Sequence, residues 1–227
     1  MVNASLQWRE SVKGYAAFNF AEAQAKCTEA LSIYDELLDV LLDYISGLEA
    51  LPSEKRQIPD EVLTKRLELS SVLIQSISAI ETSLLSSSYA TLAALLKQET
   101  DGLTRLQEYQ VGKAKDGKTP NTVNHGTQAQ RFFQKSLQPW AHLSQSDVSE
   151  YLSWHINDNR LILKRFPVFD EMTFNRICDV RCHNLTVLIV RLEQVFCDSY
   201  QMTLNDSMLA RLMEPTNLLK RRIEQSF

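Results

Sequence analysis

The chain has 227 residues, 44% of them hydrophobic and 23% charged, and a formal net charge of -4. That length can bury a sizeable core without disulfides or metals, so one helical domain over 1–227 is the default expectation. A balance this close to neutral argues against a general DNA coater or a polybasic membrane binder, both of which need a strong positive field.

The four cysteines, Cys27, Cys178, Cys182 and Cys197, lie within apolar helical patterns and lack the spacing of a secreted disulfide framework. Reduced, buried thiols in a cytoplasmic compartment are therefore expected. The first residues lack the basic-then-apolar run of a secretory signal, and no apolar stretch approaches bilayer length, so no membrane insertion is expected. The Asn-x-Ser/Thr matches at Asn3, Asn184 and Asn205 then have no glycosylation context.

Only six glycines and six prolines are available to turn a sheet. The expected fold is all-α, a multi-helix up-and-down bundle with long N-terminal helices and a shorter C-terminal helical bundle. Leu6, Trp8, Val12, Tyr15 and Phe18 mark a first helix over 4–18. Asn19, with Glu22 three residues on, resembles an N-cap with its capping-box partner; it predicts a second helix over 20–49, or one merged helix if the chain does not break there. Two prolines in 51–59 predict a connection between antiparallel helices, and Asp60 and Glu61 favour the start of the next helix. Its apolar stripe begins at Val62 and continues as far as Leu106, with breaks predicted at Ser86-Ser87-Ser88 and at Gly102. Ser70, Ser71, Ser76, Ser78 and Ser83 read as a solvated face or as small side chains that admit a closely approaching helix.

Residues 112–127 hold three glycines, one proline and three lysines with little to bury. They predict an exposed loop that divides the chain into 1–111 and 128–227. Beyond it, helices are expected over 128–138, from Ser144 or Ser146 to Pro167, and over 169–201. Two short ones follow at 205–213 and 216–226, separated by Pro215. The stretch 185–192 is apolar almost all the way round and must be covered on every side, as a central helix would be. No internal repeat is evident.

No strong catalytic motif is present. Cys178 and Cys182 share a helix face, but His183 lies about 100° from Cys182 around the helix, so buried thiols are favoured and neither metal nor cofactor is expected. Arg176 and His183 are two helical turns apart and project from one side, with Asp179 between them. Imidazole can exchange a proton near neutral pH and guanidinium can hold a phosphate, the two tasks of metal-free RNA cleavage. An arginine, six residues and a histidine near the start of a late helix in an all-α chain is similar to the HEPN family of small helical nucleases and nucleotide-binding domains. The resemblance covers these eight residues and departs from the family pattern at Ile177, where a polar residue usually follows the arginine. It implies catalytic roles for Arg176, Asp179 and His183, RNA as partner, and a cleft shared by two copies. The other reading of the same residues makes Asp179 an internal staple for Arg176 and His183.

Lys113, Lys115 and Lys118 in the loop could touch a partner, as could Lys220-Arg221-Arg222, although that run also suits the C-terminal end of a helix. Trp140 is the expected interface anchor. The leading functional reading is a non-enzymatic helical interaction or adaptor protein, acting on a protein partner or on a second copy of itself. The alternative is a metal-independent HEPN-like ribonuclease or toxin-type protein.

Overall fold

The computed structural model describes residues 4–51, 59–114, 169–201 and 206–225. These form six helices and no strand: α1 (Ala4–Lys26), α2 (Thr28–Glu49), α3 (Glu61–Leu85), α4 (Tyr89–Gln110), α5 (Glu171–Tyr200) and α6 (Asp206–Gln225). The all-α expectation holds. The helices expected over 128–138 and 144–167, together with Trp140, Lys115 and Lys118, lie outside the described residues. None of the helices described is long and apolar enough to cross a membrane.

The first break falls at Cys27 and not at Asn19. Cys27 leaves helical geometry (φ -118°, ψ 35°). Its amide nevertheless donates to the Ala23 carbonyl at 2.8 Å and its carbonyl accepts from Leu31 at 3.0 Å, so the hydrogen-bond ladder continues through the bend. Asn19 cannot serve as a surface cap because it lies on the same helical stripe as Ala23 and Cys27, all three buried. Its side chain is satisfied at long range: Nδ2 donates to the Ser86 carbonyl at 3.0 Å, and Oδ1 accepts from the Phe169 amide at 3.3 Å. One buried amide thereby ties α1 to the α3–α4 turn and to the start of α5.

The helix start at Asp60 is as expected, with its carboxylate accepting from the Leu63 amide at 2.7 Å. The serine triplet is a true break. Ser86 caps α3, Ser87 adopts positive φ (54°), and α4 begins one residue after Ser88. Gly102 is not a break, since α4 runs straight through it. A Cβ at this position would sit 2.9 Å from Leu73 Cδ2, so the glycine admits the side chain of α3 against the α4 backbone. The serines of α3 divide accordingly, with Ser70 and Ser83 buried and Ser71 and Ser78 exposed.

Helix α4 ends in a Schellman motif. The Lys113 amide donates to the Glu108 carbonyl at 2.8 Å and the Gly112 amide to Tyr109 at 3.2 Å, with Gly112 at φ 68°. Glycine takes that left-handed conformation without a steric penalty.

Helix α5 is the centre of the molecule and touches every other helix. Asp170 caps its start, accepting from the Thr173 amide at 2.8 Å, and Gln201 ends it at positive φ (51°). Leu185, Leu188, Ile189 and Leu192 are fully buried, while Thr186, Val187, Val190 and Arg191 between them are half-buried, so 185–192 is covered completely along one stripe and only in part on its other side, not on every side as its apolarity suggested. Pro215 does not split the last segment; it lies inside α6 and is buried. Met208, Leu212, Pro215 and Leu219 form one buried stripe at three- and four-residue spacing, so packing carries the helix past the hydrogen bond that proline cannot donate.

Candidate functional site

Helix α5 presents its polar side chains in layers. In the first layer, near the N-terminus, Asp179 is buried and accepts from Arg222 Nε at 2.7 Å. The same guanidinium reaches Asn175 Oδ1 at 2.6 Å and Glu29 Oε2 at 3.0 Å, so it joins α6, α5 and α2. Burial pushes the Asp179 carboxyl above its usual range, against the pull of Arg222. For Arg222, burial opposes the charge, but the hydrogen bond and charge of Asp179 and then of Glu29 outweigh it and hold the guanidinium protonated.

The three residues of the expected stripe therefore part company. Arg176 is exposed on the second turn of α5, Asp179 is paired with Arg222 from another helix, and His183 lies deeper. Burial alone brings the His183 imidazole down from 6.5 to about 4, which leaves it neutral at pH 7. Arg222 was the partner not anticipated for Asp179. The terminal run Lys220-Arg221-Arg222 is divided by the helix, with Lys220 and Arg221 exposed and Arg222 turned into the bundle.

The second layer is the most deeply buried chemistry in the described residues. Arg181 and Glu99 are both inaccessible and form an ion pair. Asn184 Nδ2 donates to Glu99 Oε2 at 3.0 Å and to Thr100 Oγ1 at 3.1 Å, and the Tyr34 hydroxyl donates to the Glu81 carboxylate. Burial works against the Arg181 charge, yet Glu99 and Tyr34 more than compensate and raise its pKa. These residues come from α2, α3, α4 and α5. Asn184 is thus a core residue, out of reach of glycosylation. A third layer near the C-terminus of α5 pairs the buried Arg66 with Asp198 at 2.5 Å and Arg191 with Gln110 at 3.1 Å.

The Arg181–Glu99 pair had a signal in the sequence. Arg181 stands on the stripe Phe174, Cys178, Arg181, Leu185, Leu188 and Leu192, while Glu99 stands on the stripe Leu92, Leu96, Glu99, Leu103 and Leu106. Two opposite charges at core register, on helices that both need covering, imply one another.

The buried cysteines behave as small apolar side chains. Cys178 is fully buried and its Sγ donates to the Ala30 carbonyl at 3.5 Å, while its hydrogen bond to Cys182 and burial raise the thiol well above its ordinary value. The raised value keeps the Cys178 thiol protonated, which is not the state of a nucleophile.

Among the described residues, an organised apolar row lies on the surface of α1. In α1, Trp8, Val12 and Tyr15 continue the stripe of Asn19, Ala23 and Cys27 toward the N-terminus, with Phe18 beside it. The second half of this stripe is core. The first half is open to solvent, with Trp8 46%, Val12 44%, Tyr15 46% and Phe18 60% exposed. Lys113, the described member of the loop lysines, is exposed on the last turn following α4.

Comparison of the chain with known protein families, with curated proteins and with solved structures finds no match.

Proposed function

We propose that this chain is a non-enzymatic helical interaction protein, with the N-terminal half of α1 as its contact surface. The observation that carries the reading is the aromatic stripe. A helix face that is core from Asn19 onward presents Trp8, Val12, Tyr15 and Phe18 to solvent before it. Single exposed apolar residues such as Val72 or Met213 are ordinary, whereas an ordered row at three- and four-residue spacing is the arrangement an amphipathic helix uses to enter a partner's groove. Tryptophan and tyrosine are also the side chains that contribute most per residue at such contacts. The partner is another protein or a second copy of the chain.

The ribonuclease reading has less support. A general base is most effective when its pKa lies near the working pH, and His183 at about 4 is a weak proton acceptor at neutrality. The Asp179 carboxylate between Arg176 and His183 is engaged by Arg222. RNA cleavage by the purified protein that is lost in both Arg176→Ala and His183→Ala would restore this reading.

The test of the interaction reading is the double variant Trp8→Glu, Val12→Glu. Complexes isolated from the native cell and sedimentation of the purified protein are compared with wild type. Loss of the associated species, with stability changed by no more than about 0.5 kcal/mol as for surface substitutions, is the expected outcome. Unchanged association would remove the proposal.

A further inference from the structure

Helix α6 is held to the bundle by one apolar stripe and by ion pairs toward both of its ends. The stripe of Met208, Leu212, Pro215 and Leu219 packs on a seat formed by α2 and α5. The seat is underfilled where α6 begins: a cleft of about 250 Å3 opens there between Met208, Val40, Tyr44 and Leu48 of α2, and Phe196 of α5. Side chains that face such a gap give up part of their dispersion contacts. Of the ion pairs, Arg211 meets Asp43 at 2.9 Å with half or more of each side chain exposed, so water and salt screen it. Arg222 is the firmer fastening, since it holds the buried Asp179 of α5 together with Glu29 of α2.

The polar layers of α5 show what holds together without α6. The second layer joins Arg181, Asn184, Glu99, Tyr34 and Glu81 from α2, α3, α4 and α5, and the third joins Arg66, Asp198, Arg191 and Gln110 from α3, α4 and α5. Helix α5 also buries 15 of its 30 residues and packs along α2, α3 and α4, so the axis is held on more than its α6 side. Pro215 adds a second asymmetry. It leaves the Arg211 carbonyl without its donor four residues on, a cost that packing on the seat offsets. Off the seat that offset is gone, and a proline-interrupted helix of this length does not persist alone in water. Docking and helix formation in α6 are therefore one event.

From this arrangement we infer that α6 is a strap: it docks and undocks as one unit on the α2–α5 seat while α1 to α5 stay assembled, and Arg222 is its fastening. Undocking uncovers an apolar groove with the edge-to-face rings of Tyr44 and Phe196 at one end. The row Met208, Leu212, Pro215, Leu219 has the spacing by which amphipathic helices enter a groove, so α6 occupies its own seat as an intramolecular ligand. The strap is separate from the α1 stripe and stands or falls independently of it.

The test is native-state amide hydrogen exchange on the whole chain, followed by NMR at low concentrations of urea. The amides of Leu212 and Leu219 are expected to share one opening, about tenfold or more frequent than that of Leu188 and Ile189, and to exchange faster with urea because the opening exposes surface. Two variants separate the strap from the bundle. Ile80→Val thins the core beneath α3, which stays packed when α6 leaves. It should speed exchange at Leu188 and Ile189 about three- to tenfold and leave Leu212 and Leu219 unchanged. Arg222→Gln should speed exchange at Leu212 and Leu219 about tenfold or more, the ratio of one charge-assisted hydrogen bond; no acceleration there overturns the fastening. Exchange of α6 at the α5 rate in the wild type overturns the proposal, and so does exchange at Leu212 that urea does not change. Acceleration of both helices by Ile80→Val overturns it as well, a result that does not depend on how well Arg222→Gln folds.

Discussion

At the scale of single residues, stability rests on polar groups that the bundle has withdrawn from water. His183 gives a pH signature whose sign follows from its burial. Its pKa drops from 6.5 to about 4 on folding, so between those values the unfolded chain binds the proton and the folded chain does not. The stabilisation is fully present above 6.5 and is lost as pH falls toward 4. Urea denaturation should show wild type losing about 2 kcal/mol more than His183→Gln between pH 7 and pH 5. Equal losses would mean that the imidazole is not held neutral. The buried Arg181–Glu99 pair predicts a second asymmetry. Arg181→Met alone leaves the Glu99 charge uncompensated and should cost about 3–5 kcal/mol, whereas adding Glu99→Leu should recover much of that loss. Thermal and urea unfolding of the two single variants and the double variant would measure the coupling. Asp179 was legible as a staple at the start of α5, but its partner was not. Arg222 lies 43 residues further on, and no local spacing rule connects positions so far apart.

At the scale of the helices, the all-α class, the helix start near Asp60, the serine-triplet break and the buried stripe within 185–192 could be read from propensity and periodicity. Three boundary signals had other uses. Asn19 looks like a cap because its side chain hydrogen-bonds to backbone, which it does here with Ser86 and Phe169 and not with its own helix. Gly102 serves the approach of Leu73, and Pro215 is carried by the α6 stripe. In each case a residue that weakens a helix locally is held by tertiary contacts, which a window of neighbouring residues does not contain. Glycine substitution separates these roles. Gly47→Ala places its Cβ in open space and should stabilise by about 0.5–1 kcal/mol. Gly102→Ala gains the same propensity but must displace the buried Leu73, so it should show no such gain. Parallel denaturant melts would distinguish the two, and equal stabilisation would contradict a packing role for Gly102.

At the scale of the whole molecule, α5 is a polar-layered axis that holds the other helices in register, and α1 offers a stripe that begins as core and ends in solvent. The interior was partly visible in the sequence as charges standing on apolar stripes. The exposed stripe was not, because Trp8, Val12 and Tyr15 follow the same spacing as buried residues, and only the placement of the neighbouring helices decides which turns are covered. That placement leaves the turns bearing Trp8, Val12 and Tyr15 in solvent, which is why they are proposed as the contact surface. The most direct measurement is site-specific photo-crosslinking in the native cell, with the photoreactive side chain at Val12 and, as control, at Glu68 on the exposed side of α3. A discrete higher-mass adduct is expected at Val12 and not at Glu68. No adduct at Val12, or the same adducts at both positions, would contradict α1 as the contact surface.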